Sequence, residues 1–270
     1  MMIDYHMHLE RGPFDENWWL KFWEEEKKKN IQEIGITEHG HRFKEFRPVY
    51  DHIPITAPWC DSNLEEYREF TTFLKEKYKI KVGVEMDYFP EKEKEIKELL
   101  EEYNFFDYVL GSVHFIDHGF GFDIDPNDPR WTEKDIEEIF EDYFDKVERM
   151  IKSNLYDVIA HLDLVKLWGG RTPKNISSIY ERISKVIISS QMSLELNTAG
   201  WRKPVKELYP SPEFLKIISP YNIPLTFGAD AHTPEDAGRD IEKAYQLAKD
   251  LGFKKISIFE KRKRILIDLQ

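Results

Sequence analysis

Two histidines separated by one residue stand near the start of the chain, in the stretch DYHMH. Residues two positions apart on a β-strand point to the same face, so His6 and His8 could bind one metal ion together. The stretch GADAH, far along the chain, repeats this spacing with a carboxylate and a histidine, Asp230 and His232. Imidazole and carboxylate groups are suitable ligands for Zn²⁺, Mn²⁺ and Fe²⁺. The two stretches together predict a metal site.

More histidines and acids follow other short apolar runs of the sequence. If these runs are parallel strands, their carboxyl ends lie on one face and can combine into a single site. Six histidines and two or more carboxylates are too many for one ion, so we expect two or three divalent ions of Zn, Mn or Fe. The predicted metal ligands are His6, His8, Glu10, His39, Glu85, His114, His161, Asp230 and His232.

A site with several divalent ions and few carboxylates has a net positive charge, which favours a phosphate monoester as substrate. Ions that share a carboxylate can activate a bridging hydroxide as nucleophile and stabilise the leaving oxygen. Glu85 and Asp230 are therefore the predicted catalytic carboxylates. Arginine side chains bind phosphate oxygens through two parallel hydrogen bonds. The candidates in loops after strands are Arg42, Arg171 and Arg202.

Short apolar or β-branched runs alternate with longer amphipathic runs, which predicts repeated strand and helix units. Seven or eight such units in one chain favour an α/β barrel over a doubly wound sheet, and no GxGxxG motif follows the first strand. The predicted strands are 2–5, 33–37, 81–86, 107–111, 157–160, 193–197, 224–228 and 255–259. The predicted helices are 16–29, 63–78, 91–103, 132–152, 174–190, 211–219 and 234–251.

Length and composition narrow the class of protein. A chain of 270 residues can form one α/β barrel, so we predict a single domain over residues 1–270. The net charge of −12 argues against nucleic acid as a partner, because binding a polyanion needs a basic surface. The sequence contains neither a secretory leader nor an apolar run long enough to span a membrane, and Cys60 is its single cysteine. These features predict a cytoplasmic enzyme for a small phosphorylated substrate.

The order of these motifs resembles the polymerase and histidinol phosphatase (PHP) superfamily of metal-dependent phosphoesterases. DYHMH, ITEHG, GVEM, GSVH, AHLDL and GADAH follow one another in the family order from residue 4 to residue 232. The stretch LELNTAGWRKPVKELYPSPEFL and the loop from GSVHF to GFD are most similar to the histidinol-phosphatase branch. The resemblance implies a distorted (β/α)7 barrel with three metal ions that hydrolyses L-histidinol phosphate to L-histidinol and phosphate, in histidine biosynthesis.

The resemblance also implies how the ligands are shared among the ions. His6, His8, Glu85 and Asp230 would hold one ion, Glu85, His114 and His161 a second, and His39 with His232 a third. Many relatives have a further histidine where this chain has Phe14. Glu10 is the predicted replacement. Asp15 is a second candidate, although its position before a helix predicts an N-terminal cap.

Other functions are compatible with the same motifs. The main alternative is a PHP-type phosphatase or phosphodiesterase that acts on nucleotides, other sugar phosphates or DNA ends, which the acidic charge disfavours. A metal-dependent amidohydrolase would also have an HxH motif after its first strand, but no lysine is placed at a strand end to form a bridging carbamate. A barrel that binds metal without catalysis would leave the cluster without a purpose.

Overall fold

Strands and helices alternate along the chain in the computed structural model, which describes residues 1–116 and 119–269. Its strands are β1 (Ile3–Asp4), β2 (Glu33–His39), β3 (Lys81–Asp87), β4 (Tyr108–Ser112), β5 (Phe115–Ile116), β6 (Phe120–Gly121), β7 (Val158–Ile159), β8 (Ser193–Asn197), β9 (Leu225–Gly228), β10 (Lys255–Glu260) and β11 (Lys263–Asp268). Its α-helices are α1 (Glu16–Lys28), α2 (Arg47–Tyr50), α3 (Leu64–Tyr78), α4 (Glu93–Glu102), α5 (Arg130–Glu133), α6 (Ile136–Ser153), α7 (Ile176–Ser189), α8 (Pro212–Ile218) and α9 (Ile241–Asp250). All eight predicted strands are present, and β5, β6 and β11 are additional. Within the described ranges every helix is too short or too polar to cross a membrane.

One mostly parallel sheet forms the centre of the fold. Its strand order is β1-β2-β3-β4-β7-β8-β9-β10-β11, with β11 antiparallel to β10, and β5 pairs only with β6 in a separate hairpin. The parallel register between β2 and β3 places His39 beside Glu85. The predicted α/β class is confirmed, and the carboxyl ends of the parallel strands form one face.

The sheet curves into a distorted barrel without a continuous ladder between β1 and β9. Backbone hydrogen bonds join the two sides at their carboxyl ends, from Tyr5 N to Phe227 O (2.9 Å) and from Asp230 N to His6 O (2.7 Å). At its amino end β9 pairs instead with β10, through Leu225 and Ile256. The barrel is therefore joined at the face that carries the predicted site and splayed at the opposite face.

Aromatic side chains fill the barrel interior below the predicted site. The rings of Tyr5 and Tyr108 stack with centroids 4.7 Å apart, and Phe259 from β10 lies 6.0 Å from the Tyr108 ring. A side chain at Gly35 would meet the Tyr108 hydroxyl at 2.1 Å, so only glycine leaves room for this ring. The packed layer gives the site a rigid floor.

Two helix boundaries differ from the prediction for physical reasons. The predicted helix 132–152 divides because Lys134 is extended, and Asp135 caps α6 by accepting a hydrogen bond from Glu137 N at 2.9 Å. The predicted helix 234–251 begins only at Ile241, since a short 3-10 turn comes first and Asp240 is left-handed. Gly252, at a φ of +87°, follows the end of α9.

Asp107 holds together the amino end of the barrel, opposite the predicted site. Its fully buried carboxylate accepts hydrogen bonds from Lys75 Nζ (2.7 Å), Val82 N (3.0 Å) and Lys261 N (3.2 Å). Its carbonyl accepts from Arg262 N, in the turn between β10 and β11. One side chain thus connects α3, β3 and the final hairpin.

We expect Asp107→Ala to lower the free energy of unfolding by about 2–4 kcal/mol, because several buried donors lose their acceptor. Denaturant titration measures this change. Metal content and activity per folded molecule should stay at the wild-type level, since Asp107 lies at the face away from the site. Lys255→Ala is the control, because Lys255 pairs with Asp268 on the surface and its loss should change stability little. An Asp107→Ala protein of unchanged stability would contradict this role.

Candidate metal centre

The carboxylate of Glu85 lies at the centre of the predicted site. It comes from the buried strand β3, and its side chain is 1% exposed. Oε2 lies 3.2 Å from His6 Nε2, 3.5 Å from His8 Nε2 and 3.3 Å from His39 Nε2. The strands β1 and β2 thus deliver three imidazoles to one carboxylate oxygen.

The other oxygen of Glu85 faces a different pair of histidines. Oε1 lies 2.8 Å from His161 Nε2 and 3.5 Å from His114 Nε2. His161 follows β7 with a φ of +23°, and His114 follows β4. The two oxygens of Glu85 therefore serve two separate histidine groups, the arrangement expected of a carboxylate shared by two ions.

Asp230 and His232 reach the cluster from the loop after β9. Asp230 Oδ1 lies 3.4 Å from His8 Nε2 and 3.7 Å from His6 Nε2. Asp230 has a left-handed backbone at a φ of +52°, and its amide donates to the carbonyl of His6. The His232 Nδ1 lies 3.1 Å from the Asp230 carbonyl, which leaves Nε2 directed elsewhere. The GADAH spacing thus brings both side chains to the site, as predicted.

Glu10 lies between two of the histidines. Oε2 is 3.0 Å from His39 Nδ1, and Oε1 is 3.5 Å from His232 Nε2. Burial alone would raise the pKa of Glu10, but the neighbouring imidazoles, His39 foremost, hold it well below its usual range. Asp15 instead caps α1 by accepting from Trp18 N at 2.7 Å, and Phe14 packs on the Tyr67 and Phe70 rings. Of the two candidate replacements, the structure places Glu10 in the cluster.

Several histidines hold an oxygen acceptor on the nitrogen that points away from Glu85. His6 Nδ1 lies 2.7 Å from Glu195 Oε1, and His114 Nδ1 lies 2.9 Å from Asp87 Oδ1. Metal-binding histidines typically make such a bond, which fixes the tautomer and leaves the other nitrogen for the ion. The predicted site did not include these two acids. The signal for Glu195 is a charged residue inside the apolar strand SLELN, and Asp87 lies on the same face as Glu85.

Glu195 is itself fixed by its surroundings. Its Oε2 accepts from His161 N at 2.8 Å and from Asn197 Nδ2 at 3.2 Å. A side chain at Gly228 would come within 2.2 Å of Glu195 Oε1, so this strand end requires glycine. The carboxylate therefore connects β1, β7 and β8 directly beneath the cluster.

Electrostatic interactions within the cluster oppose the cost of burial. Burial alone would raise the pKa of Glu85, but the imidazoles of His6 and His114 lower it far below the usual range. Burial would also lower the pKa of His6, and the surrounding carboxylates, Glu195 foremost, raise it well above its usual value. For His8, burial and the adjacent imidazoles of His39 and His232 lower the pKa. A divalent cation would replace the protons that balance these carboxylates.

The residues present fit a metal centre. Both ring nitrogens of His8 are buried without a hydrogen-bond partner among the described residues, which is costly unless a cation binds there. Four groups of donor atoms, each within 4.8 Å of one another, could each hold an ion. They are His6, His8 and Glu85; His39, Glu85 and His114; His6, His161 and Asp230; and His8, His39 and His232.

A cavity of about 430 Å³ opens beside the cluster. Its lining includes Glu10, His39 and His114 of the cluster, together with Trp59 and Asp123. Burial raises the pKa of the Asp123 carboxyl despite the adjacent His114 ring. The cavity is large enough for a small phosphorylated metabolite.

The predicted arginines occupy different positions relative to this cavity. Arg42 lines it, with Nη1 2.7 Å from Glu38 Oε2 and its guanidinium over the Phe14 ring. Arg171 lines a separate cavity of about 230 Å³. Arg202 donates to the carbonyl of Ala229 and so supports the loop that carries Asp230. Arg11, which is not among the predicted arginines, is exposed and lines the first cavity.

We expect Glu195→Gln to weaken Zn²⁺ binding by about 10- to 100-fold, because His6 loses the charged acceptor that orients its ring. Titration against a competing chelator measures the affinity. Glu207→Gln is the matched control, since Glu207 contacts Lys166 Nζ at 2.7 Å and no histidine of the cluster. Equal Zn²⁺ affinity in wild type and Glu195→Gln would show that this contact does not support a metal site.

Comparisons with known proteins identify the family of this chain. A protein from Deinococcus radiodurans named "Probable histidinol-phosphatase" is 32% identical over 224 residues, which cover 79% of this chain and 84% of that protein. The histidinol-phosphatase of Bacillus subtilis is 29% identical over 259 residues, which cover 87% of this chain and 95% of that protein. A histidinol phosphate phosphatase from Lactococcus lactis, solved with zinc, L-histidinol and phosphate, has the same fold, with a TM-score of 0.75, 24% identity and 98% of each chain covered. The sequence model of the PHP domain matches residues 4–199, and the chain belongs to the PHP domain family.

Proposed function

We propose that this protein is a metal-dependent phosphomonoesterase that hydrolyses L-histidinol phosphate to L-histidinol and phosphate. The main support is the position of Glu85, whose two oxygens face two different sets of histidines within 2.8–3.5 Å. Relatives that are 32% and 29% identical to this chain over the aligned residues are named for the same activity. The histidine and carboxylate cluster therefore supports hydrolysis of a phosphate ester, and the names of the relatives support the choice of substrate.

The ligand sets are those that the family resemblance implies, with Glu10 added to the third because it lies between His39 and His232. We assign one ion to His6, His8, Glu85 and Asp230, a second to Glu85, His114 and His161, and a third to His39, His232 and Glu10. Zinc is supported by the Lactococcus lactis structure, and Mn or Fe would suit the same imidazole and carboxylate donors. When bound, such ions neutralise the charge of a phosphate ester and make a water molecule more acidic.

The protein's own side chains position the reacting groups. Glu195 and Asp87 lie at hydrogen-bond distance from the outward nitrogens of His6 and His114, where they would hold the proton and leave the inward nitrogens to bind an ion. Glu85 and Asp230 would supply the negative charge that holds the cations. Arg42 and Arg11 line the same cavity and are the nearest candidates for phosphate oxygens. Arg171 and Arg202 stay candidates, although each would have to leave its present contact.

We expect phosphate release from L-histidinol phosphate in the presence of Zn²⁺ or Mn²⁺, and its loss after chelation. His8→Ala should lower kcat/KM by more than about 100-fold. It removes a proposed metal ligand, which should cost more than the removal of a residue that only orients a ligand. His52→Ala is the matched control, since His52 lies outside the cluster and contacts Glu91 at 3.1 Å. Hydrolysis of AMP or short single-stranded DNA without hydrolysis of L-histidinol phosphate would favour the nucleotide alternative. Full activity in His8→Ala would overturn the site.

The third ion has its own test in Glu10. We expect Glu10→Gln to contain one ion fewer per chain by elemental analysis, while the other ions stay bound. Asp15→Ala should retain every ion and lose about 1 kcal/mol of stability, because it removes a helix cap. If Glu10→Gln keeps all ions and Asp15→Ala loses one, the assignment of these two acids is reversed.

A further inference from the structure

Asp123 lines the cavity beside the histidine cluster. Its Oδ1 is buried and accepts no hydrogen bond from residues 1–116 or 119–269. A carboxylate oxygen hidden from water without a donor is unfavourable, and such groups commonly mark places where a ligand supplies the missing partner. The proposed metal ligands do not include Asp123.

The backbone immediately before Asp123 is held by packing and by a hydrogen bond. The Phe122 ring packs edge-on against Tyr143 with centroids 5.3 Å apart, and the Phe122 carbonyl accepts from Trp168 Nε1 at 2.7 Å. Phe120, on β6, packs against Trp131. Because these neighbours are fixed, the Asp123 carboxylate is held at the cavity wall.

The other acids of the cavity already have side-chain partners at hydrogen-bond or ion-pair distance. Glu10 lies between His39 and His232. Asp61 is exposed at the rim, where it accepts from Ser62 Oγ at 2.8 Å and lies 3.6 Å from Arg42 Nε. Among the described acids that line this cavity, Asp123 is the one whose carboxylate has no side-chain donor within hydrogen-bond distance.

The proposed substrate carries a cation close to its phosphate. In L-histidinol phosphate an ammonium group is attached to the carbon next to the one that bears the phosphate ester. An ammonium of this kind stays charged at neutral pH, whereas the imidazole is only partly protonated. A carboxylate that binds this ammonium must lie near the phosphate subsite, and Asp123 lines the same cavity as His114.

We infer that Asp123 binds the substrate ammonium and so selects phosphomonoesters that carry a positive charge beside the phosphate. This inference rests on the proposed function, since it assumes that the phosphate lies at the histidine cluster. An ammonium group has three donors, so it can pair with a carboxylate that lacks a partner. Asp123 would act in substrate specificity rather than in metal binding.

The test compares two substrates that differ only in the amino group, L-histidinol phosphate and 3-(imidazol-4-yl)propyl phosphate. We expect wild type to prefer L-histidinol phosphate in kcat/KM. In Asp123→Asn we expect this kcat/KM to fall by about 10- to 100-fold, the range for a lost hydrogen bond to a charged group, while turnover of the second substrate stays unchanged. Asp61→Asn is the matched control, because it removes a cavity carboxylate that already has partners. Calorimetry should also show that Asp123→Asn binds L-histidinol more weakly than wild type does.

Different results would show failure of the inference and failure of the proposed function. Equal losses for both substrates in Asp123→Asn, or loss of bound metal, would overturn the specificity role, and so would an unchanged preference for the amino group. If wild type does not hydrolyse L-histidinol phosphate, the proposed function fails, and the pair 2-aminoethyl phosphate and ethyl phosphate then tests Asp123. A preference for the aminoethyl ester that Asp123→Asn abolishes would still support the inference, and a preference that persists would overturn it.

Discussion

The structure depends on the burial of one carboxylate, that of Glu85. A buried negative charge is strongly unfavourable unless groups of opposite or complementary polarity surround it. Here imidazoles from the ends of β1, β2, β4 and β7 surround both oxygens. These histidines are far apart in sequence, so only a fold that brings several strand ends to one face can satisfy Glu85.

The same constraint explains the residues around the cluster. A partner on the outward nitrogen of an imidazole fixes the orientation of the ring and leaves the inward nitrogen directed at the cluster. Glu195 and Asp87 provide that partner for His6 and His114, and Gly228 leaves the space that Glu195 needs. Each additional carboxylate also increases the negative charge, which the protein must balance with protons or with cations. The cluster is thus most stable when divalent ions take the place of protons.

The sequence predicts the strand ends well, because alternation of apolar runs shows where each strand stops and which residues follow. It therefore identifies His6, Glu85 and Asp230 as residues of one face. It does not reveal the role of Glu195. A charged residue inside an apolar strand could be a buried hydrogen-bond partner, or it could mean that the strand is wrongly assigned, and periodicity does not distinguish the two. Ring orientation and the unpartnered oxygen of Asp123 depend on tertiary packing, which local patterns do not contain. The hairpin of β10 and β11 is only half predicted, because the partly exposed β11 lacks the apolar character of a core strand.

The two faces of the barrel have different roles, because β1 and β9 are hydrogen-bonded to each other at the carboxyl face and β9 pairs with β10 at the amino face. At the carboxyl face, β1 joins β9, and the backbone bond from Asp230 to His6 holds the two halves of the cluster in register. At the amino face, β9 turns to β10, and Phe259 from that strand fills the space beside Tyr5 and Tyr108. Buried aromatic packing and the contacts of Asp107 supply stability there without any histidine. Because packing at the amino face supplies stability, the protein can concentrate buried charges at the carboxyl face and hold them in position to bind cations.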